Sequence, residues 1–427
     1  MERPSWEVIA DALRGANRAE HPATVVVLAR KLLETEPDFG VAWMQLGEAL
    51  GVLSNYDEAE LAFQSALKYC RQSYLVYTCM GHMYERRGDY DAAVRSYRIA
   101  LDLMPHDADR YTYVGRTLQK QGKLAEAEEL HRAATECREG CIDEAYYFRG
   151  LALRCLGRLD EARECFEKAI QLDPDYRVAK EALTDVHSAI SLLPSGPCEN
   201  PYANALSGKS APQTAGIHRQ SMVAPEPSTS HPSRKFIENA LTDARAADHP
   251  ATVVVLARKL LQIAPEDSIA WLQLGSALGY LSNYDEAERA FQNALKYYRK
   301  SGQYLVYTCM GHTRERRGDY EAAVRSYRVA LDLMPHDADM YTFVGITLQE
   351  QGELVEAEEL LRAGTKRKKG RIDEAYYNLG FVLSGQGRLQ EASECFEKAV
   401  ELHADYCDAK EALADARAAI DYQKSFE

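Results

Sequence analysis

The sequence predicts an all-α fold in which helical hairpins stack into two arrays, and three observations carry that prediction. The chain is written twice, because His21–Leu33 returns unchanged as His249–Leu261 and most of the stretch after it recurs as well. Each copy is itself built from smaller repeats with a period of about 34 residues, the length of a helix-turn-helix unit. Between Leu193 and Ser233 the periodicity stops, and Pro194, Pro197, Pro201, Pro212, Pro225, Pro227 and Pro232 collect among Ser, Gly, Asn and Thr. Stacked hairpins bury their apolar faces against one another, so they offer a binding surface and leave little chain for catalysis.

Taken in order, residues 6–39 open the first copy without the Gly and first Ala of later units, and are read as a capping unit ending at Pro37 whose hairpin geometry stays open. Trp43, Leu46, Gly47, Leu50, Ala59, Phe63 and Ala66 make the next unit. The clearest unit comes third, with Tyr77, Met80, Gly81 and Tyr84, then Ala93, Tyr97, Ala100 and Pro105. Tyr111, Val114, Gly115, Leu118, Ala127, His131 and Ala134 repeat the frame, as do Tyr146, Gly150, Leu153, Ala162, Phe166, Ala169 and Pro174. Gly in the first helix and Ala in the second let two helices approach closely, and the aromatics fill the remaining space. Arg87-Gly88-Asp89-Tyr90 supplies a left-handed helix end and then a capping Asp. An amphipathic segment, Tyr176–Leu192, then covers the last hairpin.

The second copy opens with another capping unit at 234–267 and runs through Trp271, Gly275, Phe291, then Tyr307, Gly311, Tyr327, then Tyr341, Gly345, Leu361, then Tyr376, Gly380 and Phe396. Tyr406–Lys424 covers its end. Arg314 stands where the first copy has Tyr84, and Gly364 where it has Ala134, which predicts a looser middle. The expected organisation is an array over 1–192, a linker over 193–233 and an array over 234–427. A Pro- and Ser-rich linker of that length is a coil spanning on the order of 35 Å, so the arrays are expected to be tethered without rigid alignment.

Large, apolar, Gly, large, then Ala, aromatic, Ala, Pro at this spacing resembles the tetratricopeptide repeat family, and the resemblance covers nearly everything outside the linker. It implies right-handed superhelical arrays whose first helices line a concave groove, with about five repeats and a capping helix in each array. Some members grip a chaperone tail through Lys and Asn in that groove. Met44, Glu48, Thr78 and His82 stand at those places here, which disfavours that ligand.

Composition narrows the function class. The formal net charge is −14, with 24 basic and 32 acidic residues up to position 194 giving the first copy about −8. Phosphate neutralisation needs a basic face, so nucleic acid and anionic membranes are not expected partners. No apolar run is long enough to span a membrane, and Met1–Glu7 lacks a basic segment leading into an apolar core, so a soluble protein that is not exported is expected. Seven of the ten cysteines precede residue 200, whereas a disulfide framework should reappear in a near-copy. Free thiols in a reducing, cytoplasmic compartment are therefore expected. The chain has no phosphate loop, nucleophile elbow, zinc-protease helix or Cys-x-x-Cys pair, so neither catalysis nor a cofactor is expected.

Three local features carry a functional reading beside a plainer one. Cys137, Cys141 and His131 offer three zinc ligands, an incomplete structural set, and Leu361, Arg367 and Arg371 replace them in the second copy. A structural role is the better reading. Lys366-Arg367-Lys368-Lys369-Gly370-Arg371 is a dense basic run, read as a solvated helix end in preference to a phosphate or acidic-peptide site. His82 and His312 are read as hydrogen-bonding walls rather than ligands.

Groove positions lie about 100° round the helix from the buried Tyr77, Tyr111 and Tyr146. This nominates Thr78, His82, Glu85, Thr112, Arg116, Gln119, Tyr147, Leu151 and Arg154 in the first copy, with Lys120 nearby. In the second copy it nominates Thr308, His312, Glu315, Thr342, Ile346, Gln349, Tyr377, Phe381 and Ser384. Arg116, Lys120 and Arg154 suit acidic peptides, with pairing to Asp109 or Glu144 as the plainer reading, while Ile346, Phe381 and Ser384 beside Glu350 suit apolar anchors. These residues together describe a non-catalytic adaptor binding peptide segments of partner proteins in two grooves. Its rivals are a self-assembling scaffold, for which Phe381 and Tyr280 would be exposed contacts, a helical-repeat RNA binder, and an accessory subunit of an enzyme complex.

Overall fold

A computed structural model describes residues 6–193 and 234–426; the segment 194–233, where the linker is expected, lies outside the described residues. The described chain is helical throughout, broken only by turns and two isolated bridges, Asp107 to Glu139 and Asp337 to Lys369. The first copy forms α1 (Trp6–Arg18), α2 (Pro22–Thr35), α3 (Gly40–Val52), α4 (Tyr56–Tyr69), α5 (Tyr74–Arg87), α6 (Tyr90–Leu103), α7 (Ala108–Lys120), α8 (Leu124–Thr135), α9 (Ile142–Cys155), α10 (Leu159–Leu172) and α11 (Arg177–Leu192). The second forms α12 (Arg234–Ala246), α13 (Pro250–Ile263), α14 (Ser268–Tyr280), α15 (Tyr284–Tyr297), α16 (Gln303–Arg316), α17 (Tyr320–Leu333), α18 (Ala338–Gln351), α19 (Leu354–Gly364), α20 (Ile372–Gly385), α21 (Leu389–Leu402) and α22 (Cys407–Phe426). The opening units therefore are hairpins, despite lacking the glycine.

The glycine frame acts as its chemistry requires. A Cβ at Gly150 would lie 2.5 Å from the Phe166 ring, and one at Gly345 would lie 2.6 Å from the Leu361 side chain. Each second helix thus lays its largest residue against bare backbone of the first, and Phe63, Phe166, Phe291 and Phe396 are almost fully buried in this way. Truncating such a ring costs about 3–5 kcal/mol. Tyr97 and Tyr327 occupy the same place, and their hydroxyls donate to Glu85 at 3.2 Å and Glu315 at 2.6 Å, because a buried phenol needs an acceptor. Helix starts coincide with the Asp positions: Asp89 accepts from the Ala92 amide and Asp319 from that of Ala322.

The middle of the second copy is filled rather than loose. Arg314 donates to Ser326 Oγ at 2.6 Å and to the Ala322 carbonyl at 3.3 Å, taking up the space of an apolar partner. Gly364 marks a close approach, since a Cβ there would lie 3.1 Å from that of Tyr341.

Backbone proximity gathers the chain into two compact units, Met1–Cys141 with Arg299–Glu427, and Ile142–Tyr298. Each takes residues from both copies, so the copies, expected to be tethered without rigid alignment, share contacts inside each unit. In the first, the core of α1–α4 includes Phe381, Tyr422 and Phe426 from the second copy. Ala23 of α2 also packs with Leu389 and Ala419. Tyr90 donates to the Arg316 carbonyl at 3.2 Å and Tyr320 to the Arg86 carbonyl at 2.9 Å, while Tyr56 lies 3.5 Å from Glu350. Burial pushes the Glu350 carboxyl above its usual range. The second unit runs from α9 to α15, with Phe166 and Phe291 in its hairpins and α11 packed on α13.

Candidate functional site

The most informative chemistry lies where a capping helix meets the start of a helix from the other copy. In the second unit, α13 begins at Pro250 behind His249, whose side chain makes no cap. Asp185, from the middle of α11, supplies the acceptor instead: it takes the Ala251 amide at 3.1 Å, the Thr252 amide at 3.0 Å and the Thr252 hydroxyl at 2.9 Å. Exposed N–H groups at a helix start favour a carboxylate. Arg154 completes this joint, with Nη1 donating to Asp185 Oδ2 at 3.1 Å. Asp185 is 1 % exposed, so the pair is shielded from water.

The first unit repeats the joint with one part changed. Asp415 of α22 accepts from the amides of Ala23 at 2.9 Å and Thr24 at 3.0 Å, and Thr24 Oγ1 donates to the Asp415 carbonyl at 3.2 Å. The position corresponding to Arg154 is Ser384, and among the described residues no arginine or lysine pairs with this buried carboxylate. A cavity of about 330 Å³ opens here, lined by Tyr377, Phe381, Ser384, Phe396, Leu53, the turn Arg18–Ala23, and Asp408, Glu411, Ala412 and Asp415. Tyr377 stands 5.0 Å from Phe381 and 4.9 Å from Tyr406, ring to ring, and Phe381 meets Phe396 at 5.7 Å. Burial, then the neighbouring Tyr406, pushes the Tyr377 phenol up to about 12.

The nominated groove residues divide into those tied inside the fold and those at this cavity. Thr78 is buried, donating to the Tyr74 carbonyl and accepting from Arg110. Thr112 is 2 % exposed, and its hydroxyl has no hydrogen-bond partner among the described residues. His82 stands edge-on to Tyr97 and Tyr113, and burial lowers its basicity. Glu85 pairs with Lys120 at 3.0 Å. Arg116 and Gln119 are half-buried on α7, Leu151 is half-buried on α9, and Tyr147 packs on Phe166 and Tyr176. In the second copy Thr308 donates to the Tyr304 carbonyl, and His312 Nδ1 lies 2.6 Å from the Tyr327 hydroxyl. Glu315 accepts from Thr347 at 2.6 Å, Thr342 and Gln349 are buried, and Ile346 is half-buried. Only Tyr377, Phe381 and Ser384 of the nominated set line the cavity.

Two readings change. Arg154, expected to face acidic peptides or to pair with Asp109 or Glu144, is held by Asp185, a carboxylate of the capping helix. Phe381, expected as an exposed contact, is half-buried against two cores, whereas Tyr280 is 49 % exposed. His131 is turned into its hairpin against Gly115, and Cys137 Sγ donates to the Ala133 carbonyl. In the basic run, Arg367 sits over the Tyr341 ring at 4.5 Å and Arg371 pairs with Glu374 at 3.1 Å.

Sequence reasoning missed Glu20, His21, Asp408, Glu411 and Asp415, which line the cavity from the ends of the chain. The signal available was the exchange of Arg154 for Ser384 between copies that keep Asp185 and Asp415 alike.

Comparison with known proteins points one way. Sequence profiles described as tetratricopeptide repeat match residues 80–111, 108–139, 143–176, 272–308, 316–380 and 373–406. The chain is 21% identical over 339 residues to the protein CTR9 homolog of Arabidopsis thaliana, covering 76% of this chain and 29% of that one. It is 22% identical over 330 residues to a TPR repeat-containing protein, MJ1428, of Methanocaldococcus jannaschii, covering 76% and 49%. It therefore spans less than half the length of these relatives. Among solved structures, yeast Tom70 aligns with 15% identity and a TM-score of 0.39 over 91% of this chain and 97% of that one. Among the described residues no helix is long and apolar enough to cross a membrane.

Proposed function

Because the chain belongs to the tetratricopeptide repeat family, we propose that it is a non-catalytic adaptor that holds peptide segments of partner proteins against its inner helices. The observation that carries the reading is the cavity beside Asp415, where three nominated first-helix residues, Tyr377, Phe381 and Ser384, meet an aromatic floor and a polar rim. Aromatic surface on one side and fixed charged and polar groups on the other give the cavity the means to orient a ligand. Several of the other nominated positions, among them Thr78, Glu85, Arg154, Thr308 and Glu315, are engaged in hydrogen bonds or ion pairs within the fold, which supports this cavity as the entry point for a partner's side chain.

The full chain, titrated into a fluorescent peptide library, is expected to select a subset of sequences. Ala412→Phe, which fills the cavity from its wall, is expected to weaken their binding at least tenfold. Selection that is indifferent to this substitution removes the cavity from the reading, and no selection at all removes the adaptor. A scaffold that assembles through its own surface is the second reading, supported by large apolar residues such as Val355, 72 % exposed, and Phe236, 63 % exposed. It predicts a mass that rises with protein concentration.

A further inference from the structure

We propose that the cavity beside Asp415 receives the guanidinium group of an arginine in the bound peptide. The proposal rests on the peptide-binding reading and gives it a chemical specificity. Its main support is internal. The joint at Asp185 and the joint at Asp415 use the same carboxylate, in the same helix position, to take the same two amides of a Pro-Ala-Thr helix start. At Asp185 the chain adds its own guanidinium, from Arg154, whose side chain is only 13 % exposed. At Asp415 the corresponding residue is Ser384, and a cavity lies where the longer side chain is lacking.

The acceptor left by that exchange is specific. Asp185 Oδ2 takes both the Ala251 amide and Arg154, whereas Asp415 Oδ2, among the described residues, takes the Ala23 amide alone. A carboxylate oxygen has two lone pairs, so Asp415 has capacity for one further donor. Asp415 is 6 % exposed, and a buried carboxylate gains most from a paired cation.

The walls suit the same group. Tyr377, Phe381 and Phe396 offer ring surface to a planar cation, which stacks on aromatics as a point-charge ammonium does not. At the mouth stand the carboxylates of Glu20, Asp408 and Glu411, whose side chains make no hydrogen bond or ion pair among the described residues. Against them the lining has one arginine, Arg18, exposed on the rim. The field at the cavity therefore attracts a cation.

The test is calorimetry on the full chain with N-acetyl-arginine amide, whose blocked ends leave only the side chain to read. The citrulline and lysine analogues serve as controls. The arginine compound is expected to bind with one site per chain, at least tenfold tighter than citrulline and several-fold tighter than lysine. Ser384→Arg, which supplies the guanidinium from within, is expected to abolish binding and raise the melting temperature. Asp408→Asn with Glu411→Gln, both exposed, is expected to weaken binding about threefold and to flatten its salt dependence. This second arm decides the matter if Ser384→Arg fails to fold. Equal binding of arginine and citrulline compounds, or binding unchanged by both sets of variants, overturns the proposal. Peptides selected without any arginine would overturn it while leaving the adaptor reading intact, and an absence of peptide binding of every kind would overturn the adaptor reading itself.

Discussion

Tyr320 donates a hydrogen bond to the carbonyl of Arg86 at 2.9 Å, and Tyr90, its counterpart in the other copy, donates to the carbonyl of Arg316 at 3.2 Å. The contact is self-reciprocal, as at the two-fold axis of a pair of identical subunits, yet both sides belong to one chain. Each tyrosine ring also lies on the other copy's helix-ending glycine: a Cβ at Gly88 would fall 2.6 Å from Tyr320, and one at Gly318 would fall 2.6 Å from Tyr90.

Gly318 carries two demands, a φ of +77° and contact with the Tyr90 ring. Gly318→Ala violates both, and is expected to cost about 2 kcal/mol or more. Tyr320→Phe loses one hydrogen bond and is expected to cost about 1 kcal/mol. Urea unfolding monitored by tryptophan fluorescence compares them. Equal losses would mean that ring-on-backbone packing contributes little.

The two capping aspartates are expected to respond unequally to truncation. Asp415→Ala removes a helix cap, a loss of about 1–2 kcal/mol. Asp185→Ala removes the same cap and also leaves the Arg154 guanidinium buried without its carboxylate, for a loss of about 3–5 kcal/mol. The double variant Asp185→Ala with Arg154→Ser should recover part of the difference. If the two single variants melt alike, the buried pair adds no stability beyond the cap.

These joints mark the limit of what the sequence discloses. The hairpins were legible because Gly150 and Phe166, or Gly345 and Leu361, stand at fixed spacing within one repeat, and local spacing encodes contact along neighbouring helices. Tyr377, Phe381 and Ser384 were legible as one face of α20 for the same reason. Asp415 was not, since nothing in its own helix says that it caps Ala23 and Thr24, nearly the whole chain away. Arg154 was misread on the same ground: its partner comes from a capping helix whose sequence looks like an ordinary amphipathic segment. Arg314 suggested looseness because a position frame counts apolar residues and does not see the hydrogen bonds a long polar side chain makes.

Acid should weaken the fold through His131. Burial, reinforced by the charge of Arg116, holds its imidazole down to about 3, against 6.5 for an exposed one. Between those values the unfolded chain binds a proton that the folded chain does not. The contribution is thus complete above pH 6.5 and falls by up to about 1.4 kcal/mol per unit as pH drops toward 3. His82, also held down by burial, acts in the same direction. Leu361 fills the matching place on Gly345, so His131→Leu is expected to fit and to flatten the acid limb of a plot of melting temperature against pH. An unchanged limb would assign the acid sensitivity elsewhere.

Glu350 should show the opposite slope. Its carboxyl is raised by burial, so the folded chain holds this proton more tightly than the unfolded chain, and stability declines as pH rises through its range. Glu350→Gln keeps a partner for Tyr56 without the charge. It is expected to melt higher than the parent at pH 8 and closer to it at pH 4, and a variant that melts lower at both would show the carboxylate to be a net stabilising group.

The exchange of Arg154 for Ser384 has a consequence for valency. In a pair of identical subunits every substitution occurs on both sides, so a receptor made at one joint is made at the other, and such a pair bridges two ligands. Covalent duplication removes that constraint. One joint keeps Arg154 as internal mortar while the other has Ser384 beside a cavity, so under the arginine proposal these two joints together take one arginine where a pair of identical subunits would take two.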